Sequence, residues 1–233
     1  MTKSICVIVG VGPGNGAAFA RRFAAEGYTL ALLARHKEFT EMIAAELPNA
    51  YAYDCDVSDV NSINKVCAQI KKELGEIDIL IYNAGSGIWG NVEEISLEQF
   101  ENSWRVNTLG LFAFTQVVTP DMKKKRQGKI IIVGATASRR GGVKTAAFSS
   151  AKAAQRNLAE SMAKYLWPFG IHVAIIIIDG IVDLPRTREQ MPDKPDDFFV
   201  KPDDVAATAY WLTEQSNSAW SFEVEARPFK ENW

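Results

Sequence analysis

A chain of 233 residues, 47% hydrophobic and 23% charged, suits one α/β domain that buries a full core. With 26 basic against 28 acidic residues, a formal net charge of −2 gives no electrostatic basis for nucleic acid or an anionic membrane as partner. The densest basic run, Lys123–Arg126, falls between a helical pattern and a strand, where it suits a solvated helix end.

At the N-terminus, "MTKSICVIVG" holds one lysine and a short apolar run that stops at a glycine. That run is too short for a secretory signal or a membrane helix, so the expected location is the cytoplasm. Cys6, Cys55 and Cys67 lack metal-type spacing and read as buried, reduced thiols, and no metal site is expected. Strands are expected at 4–9, 29–34, 49–54, 77–82, 129–134, 171–178 and 220–225. Helical patterns fill roughly 15–26, 38–47, 59–74, 97–119, 145–167 and 203–215. Runs such as "ICVIV", "IDILIY" and "HVAIIII" are nearly continuous, as in strands covered on both faces. Strand–helix alternation without a linker implies one doubly wound Rossmann-type domain over residues 1–233, with a parallel sheet of about seven strands.

The first strand leads into "GVGPGNGAAFARRF", a glycine-rich turn that opens a helix. Glycines let a backbone approach a pyrophosphate, and the helix start supplies free N–H groups. Gly10, Gly12, Gly14, Asn15 and Gly16 are therefore the expected phosphate contacts. The second strand ends in "LLARHKE", with Ala34 where a ribose-binding acid would sit, then Arg35, His36 and Lys37. Cations without a carboxylate favour a 2′-phosphate, hence NADP(H) over NAD(H). Near the end of the chain, residues 179–204 hold four prolines and no sustained period. They follow the sixth strand, at the edge where open sheets bind ligands, and read as a lid over the site of a small-molecule substrate.

Together with that loop, "CDVSD", "YNAG", "RVNTLG" and "AFSSAKAA" make the chain resemble the short-chain dehydrogenase/reductase family over essentially its whole length. The resemblance implies that Asp56 and Val57 line the adenine and that Asn83, Ala84 and Gly85 shape the cofactor wall. Asn107 falls on the family's active-site asparagine, which holds a water connected to the lysine. Lys152 falls on the lysine that binds the nicotinamide ribose and lowers the pKa of the catalytic tyrosine. Gly180 keeps the glycine that follows the sixth strand. Pairing through the helices near 97–119 and 145–167, as a homodimer or homotetramer, is also implied; the C-terminal sequence itself reads as the last strand plus an aromatic tail that could dock across a partner.

The departures are selective. Where the family has its tyrosine and serine, this chain has Phe148 and Ala135, and Asp179 replaces the usual proline before Gly180. Losing a general acid typically slows a reaction by about 10²–10⁴, and losing an oxyanion donor by roughly 10²–10³. Thr136 is the nearest hydroxyl that could orient a substrate. Asp179 is a carboxylate at the catalytic edge that burial could turn into an acid, or else a loop cap or a partner for Arg186 or Arg188. Ser149 and Ser150 point away from the Phe148 direction around the helix. The expected function is an NADP(H)-binding oxidoreductase with a degenerate proton-transfer site, or a catalytically silent NADP(H) sensor or partner subunit.

Overall fold

The computed structural model describes residues 4–231. Asn232 and Trp233, the end of the expected aromatic tail, lie outside the described residues. Seven strands form one parallel sheet in the order β3-β2-β1-β4-β5-β6-β9. They are β1 (Ile5–Val9), β2 (Thr29–Ala34), β3 (Ala50–Asp54), β4 (Ile79–Tyr82), β5 (Gly128–Ala135), β6 (Ile171–Ile178) and β9 (Glu223–Ala226). The order reverses between β1 and β4, and that switch point opens a crevice at the carboxyl ends of the strands.

Alternate side chains of the central strands enter two cores. Val7, Leu80, Ile130 and Val173 pack toward α3 (Val60–Glu73), α5 (Gly110–Lys125) and α6 (Ala146–Leu166). Ile8, Ile81, Ile131 and Ala174 pack toward α1 (Asn15–Ala25), α2 (Glu38–Glu46) and α8 (Pro202–Glu214). The unbroken apolar runs of the sequence are thus strands buried on both faces.

Three expectations need correction. The fourth long helix begins as α4 (Leu97–Trp104), widens into a π-helical turn over Arg105–Leu109, and continues as α5 through Lys125 rather than ending at 119. Pro120 does not stop it, because Pro120 and Gln116 are both exposed and water can serve the carbonyl that lacks an N–H partner. The last strand starts at Glu223, not at 220, since Trp220 stacks on His172 with ring centroids 4.8 Å apart. Segment 179–204 is not irregular throughout. Short parallel strands β7 (Ile181–Val182) and β8 (Phe199–Val200) flank α7 (Pro185–Gln190), and elements this short leave no period in the sequence.

Gly10 ends β1 at φ +87°, and a Cβ there would meet the Ala84 backbone at 2.6 Å. Gly16 is equally constrained, as its Cβ would lie 2.6 Å from Val11 Cα. These approaches pin the glycine turn against β4 and against its own first residues. Gly10→Ala is expected to destabilise the chain by at least about 1–2 kcal/mol, the left-handed penalty alone. A thermal melt would read this as a drop of about 2–4 °C per kcal/mol, and an unchanged melting temperature would refute the tight packing.

Candidate functional site

Three cavities that share walls follow the switch-point crevice, with volumes of about 490, 570 and 670 Å³. The first is bordered by Gly10, Gly12, Gly14, Asn15 and Gly16, so the glycine turn faces open space as expected. The largest is bordered by Arg35, Val57, Ala84 and Gly85, with His36 and Asn83. The third is bordered by Lys152, Thr136 and Gly180, together with Phe148 and Ala135. The structure therefore gathers almost every residue singled out in the sequence along one cleft.

Asp56 is an exception, since its carboxylate does not line the cavity that holds Arg35. It accepts from the Ser58 N–H at 2.9 Å and the Ser58 hydroxyl at 2.7 Å. Desolvation opposes its charge, but the Ser58 hydrogen bonds and the Arg35 charge outweigh that and hold its pKa below the ordinary carboxylate value. Asn83 ties the turn to β4 by donating its side-chain amide to the Gly10 carbonyl at 2.7 Å.

Lys152 is buried on α6. Its Nζ donates to the Val133 carbonyl and to Gln155 Oε1, both at 2.9 Å. Gln155 Nε2 in turn donates to the Asn107 carbonyl at 2.6 Å, within the π-helical turn. Asn107 spends its own amide N–H on the Ser103 carbonyl at 2.8 Å, which leaves Asn107 Oδ1 buried without a partner. Behind Gly85, Asn107 Oδ1 and Lys152 Nζ lie 3.4 and 3.8 Å from where a Cβ would stand, so glycine leaves room there for a ligand. Desolvation lowers the Lys152 pKa to about 7. Gln155 escaped the sequence reading, although its position three residues after Lys152 on a helix puts the two on one face.

Asp179 does not pair with Arg186 or Arg188. It is buried, bonded by Arg227 and by the Thr136 hydroxyl, with Arg140 at 3.5 Å. Arg188 pairs instead with Asp183 at 2.6 Å and Asp196 at 2.7 Å, and Lys201 joins Asp183 at 2.6 Å. The other hydroxyls near the missing donors are engaged too, Ser149 with the Thr145 carbonyl at 2.7 Å and Ser150 with the Ala146 carbonyl at 2.6 Å. His172 is buried at the opposite edge of the sheet, and Tyr82 donates to the Val106 carbonyl at 2.5 Å. All three cysteines are free and buried. Among the described residues no cluster could hold a metal ion, and no helix is long and apolar enough to cross a membrane.

A cleft at the switch point, with a glycine turn at one wall and a buried lysine at the other, defines a class of dinucleotide-fold protein. Residues 4–195 match the short chain dehydrogenase family, and the chain belongs to it. It is 31% identical over 176 residues to the 2,3-dihydro-2,3-dihydroxybenzoate dehydrogenase of Bacillus subtilis (strain 168), covering 74% of this chain and 67% of that one. A short-chain dehydrogenase from Rhodopseudomonas palustris superposes with a TM-score of 0.84 at 31% identity, over 98% of this chain and 100% of that one. An alcohol dehydrogenase from the archaeon Thermococcus sibiricus, complexed with 5-hydroxy-NADP, superposes with a TM-score of 0.87 at 25% identity, over 99% and 98%.

Because folded Lys152 loses its proton near pH 7 while an unfolded lysine keeps it to about 10.5, the unfolded chain binds more protons across that interval. This group's contribution therefore opposes folding most strongly below pH 7 and is relieved as pH rises toward 10.5. Lys152→Met should remove that contribution, so the stability difference between variant and wild type should shrink from pH 7 to 9.5. Urea unfolding at several pH values measures it, and a constant difference would show that Lys152 is not desolvated.

Proposed function

We propose that this chain is an NADP(H)-binding oxidoreductase whose proton-transfer groups are gone, acting on a small molecule with an electron-poor double bond. The observation that carries this reading is the cavity at Lys152. Phe148 and Ala135 line it, and the hydroxyl next to Ala135, that of Thr136, is committed to Asp179. Neither Phe148 nor Ala135 carries a proton to give an alkoxide, and Lys152 is held by the Val133 carbonyl and Gln155, whereas an activated double bond can take its proton later from water.

The chain's own residues fit the cofactor. Asn15 Oδ1, Ser86 Oγ and Asn107 Oδ1 are buried without partners, and the first two belong to residues bordering the cleft. Buried polar atoms of this kind call for a ligand or water. When bound, the nicotinamide supplies a hydride. The Gly10–Gly16 turn would hold the phosphates, Asn83 keeps that turn in place, and Lys152 would meet the ribose hydroxyls. Arg140, bordering the same cavity, can offset negative charge on a substrate. The preference for NADP(H) rests on exposed Arg35 and His36 beside Ala34, and the 5-hydroxy-NADP complex of the Thermococcus relative agrees with it.

A second reading, a catalytically silent NADP(H) sensor or partner subunit, is favoured by the packing of Phe148 against Trp89. Their ring centroids are 5.3 Å apart at 41°, an aromatic wall where the family keeps its acid. In either reading a second copy of the chain covers the face of α4 and α5. There Leu97 is 90% and Phe112 44% exposed, alongside Phe100 and Trp104. Light scattering that finds only monomers would refute that pairing.

NADPH should bind about 10–100-fold more tightly than NADH, the worth of one charge-assisted contact, and Arg35→Ala should remove the difference. Phe148→Tyr with Ala135→Ser should raise carbonyl reduction by at least about 10²-fold. Turnover of activated enones by the wild type supports the enzyme. Tight NADPH binding with no turnover in either protein supports the silent reading.

A further inference from the structure

Arg186 stands apart from the other basic residues of segment 179–204, since even Lys194 lies over the Phe198 ring. Arg188 and Lys201 are locked to Asp183, and Arg188 also pairs with Asp196 and lies over the Phe199 ring at 4.1 Å. Arg186, two residues from Arg188 on α7, is exposed and has no ion pair, hydrogen bond or ring contact among the described residues. Yet it borders all three cavities of the cleft, a property it shares only with Asn83 among the residues that line them.

That position has a chemical meaning. One end of the cleft carries Arg35 and the other Lys152, with the glycine turn between. In any dinucleotide the two phosphates join the two nucleosides, so they fall in the middle, beside the turn and Asn83. Arg186 reaches that middle from the opposite wall. Its segment is seated on the turn, because the Leu184 side chain packs where a Cβ of Gly14 would stand. A guanidinium suits this place, since its planar fork bonds two phosphate oxygens at once and keeps its charge at every physiological pH.

We propose that Arg186 is a phosphate-recognition residue, bonding the pyrophosphate of a bound dinucleotide from the lid side while the glycine turn holds it from the other. The proposal rests on the dinucleotide reading above. It makes the segment at 179–204 part of the cofactor site, with the Asp183–Arg188–Lys201 ion pairs as the frame that presents the free arginine.

Isothermal titration of wild type, Arg186→Ala and Arg186→Lys with NADPH, NADH and adenosine 2′,5′-bisphosphate tests it. Arg186→Ala should weaken NADPH and NADH alike by about 10–100-fold and weaken the bisphosphate, which keeps only the adenosine-side phosphate, by less. Arg186→Lys should retain part of the affinity. Amide hydrogen exchange over residues 183–200 should slow when NADPH is added to wild type and not when it is added to Arg186→Ala at the same concentration. Equal NADPH affinity in wild type and Arg186→Ala overturns the proposal. A loss confined to NADPH and the bisphosphate also overturns it, by assigning Arg186 to the 2′-phosphate. A wild type that binds neither dinucleotide would instead refute the dinucleotide reading itself.

Discussion

The Lys152 amine donates to the Val133 carbonyl on β5 and to Gln155 one turn along α6, and neither acceptor carries a charge. Neutral acceptors do not replace the hydration of an ammonium, so burial alone brings the group to the edge of neutrality at pH 7. Three elements converge to keep it there. β5 supplies the carbonyl, α6 supplies both the lysine and the glutamine, and the π-helical turn supplies the Asn107 carbonyl that orients the glutamine. The turn is a departure from regular helix at the point where one helix must both pack on a core and reach a site. A change in any of the three would move the amine relative to Gly85 and the cleft.

The absence of a phenol at position 148 fits this arrangement. A tyrosine acting as an acid benefits from a cation beside it, because the cation favours the phenolate. With Phe148 packed at a tilt against Trp89 there is no phenol to influence, and nothing in the cavity requires Lys152 to stay charged. Asp179 follows the same pattern. Its carboxylate is taken up by Arg227, Arg140 and the Thr136 hydroxyl, so the two groups best placed to replace a lost acid are bound to each other.

The parts of this site that were legible in the sequence are local or periodic. The glycine turn, the Ala34–Arg35 end of β2 and the Phe148–Lys152 spacing each depend on a few adjacent residues, and the strands were marked by continuous apolar runs. Parts built from distant residues were not legible. Arg227 lies 48 positions from Asp179, and Gln155 lies 48 from Asn107, so no pattern announces either contact. The π-helical turn was hidden because its residues keep helical spacing to either side. The short elements of segment 179–204 were not legible because two-residue strands and a six-residue helix fall below the window in which periodicity has meaning.

Charge along the cleft is graded, and the grading says what the two ends can hold. Arg35 and His36 are exposed at one end and Arg186 in the middle, with no carboxylate among the residues that line the cavity beside Arg35. Such a surface draws a polyanion and holds it through contacts that salt weakens. At the other end burial lowers the Lys152 pKa to about 7, the charge of Asp179 is offset by arginines, and Trp89 and Phe148 form an aromatic wall. A molecule bound along the whole cleft would therefore keep its phosphates between the Arg35 end and the middle and place its uncharged ring at the Lys152 end. That polarity follows from side chains positioned by β2, β5, α6 and α7, and none of the hydrogen bonds that hold Lys152 or Asp179 involves position 148.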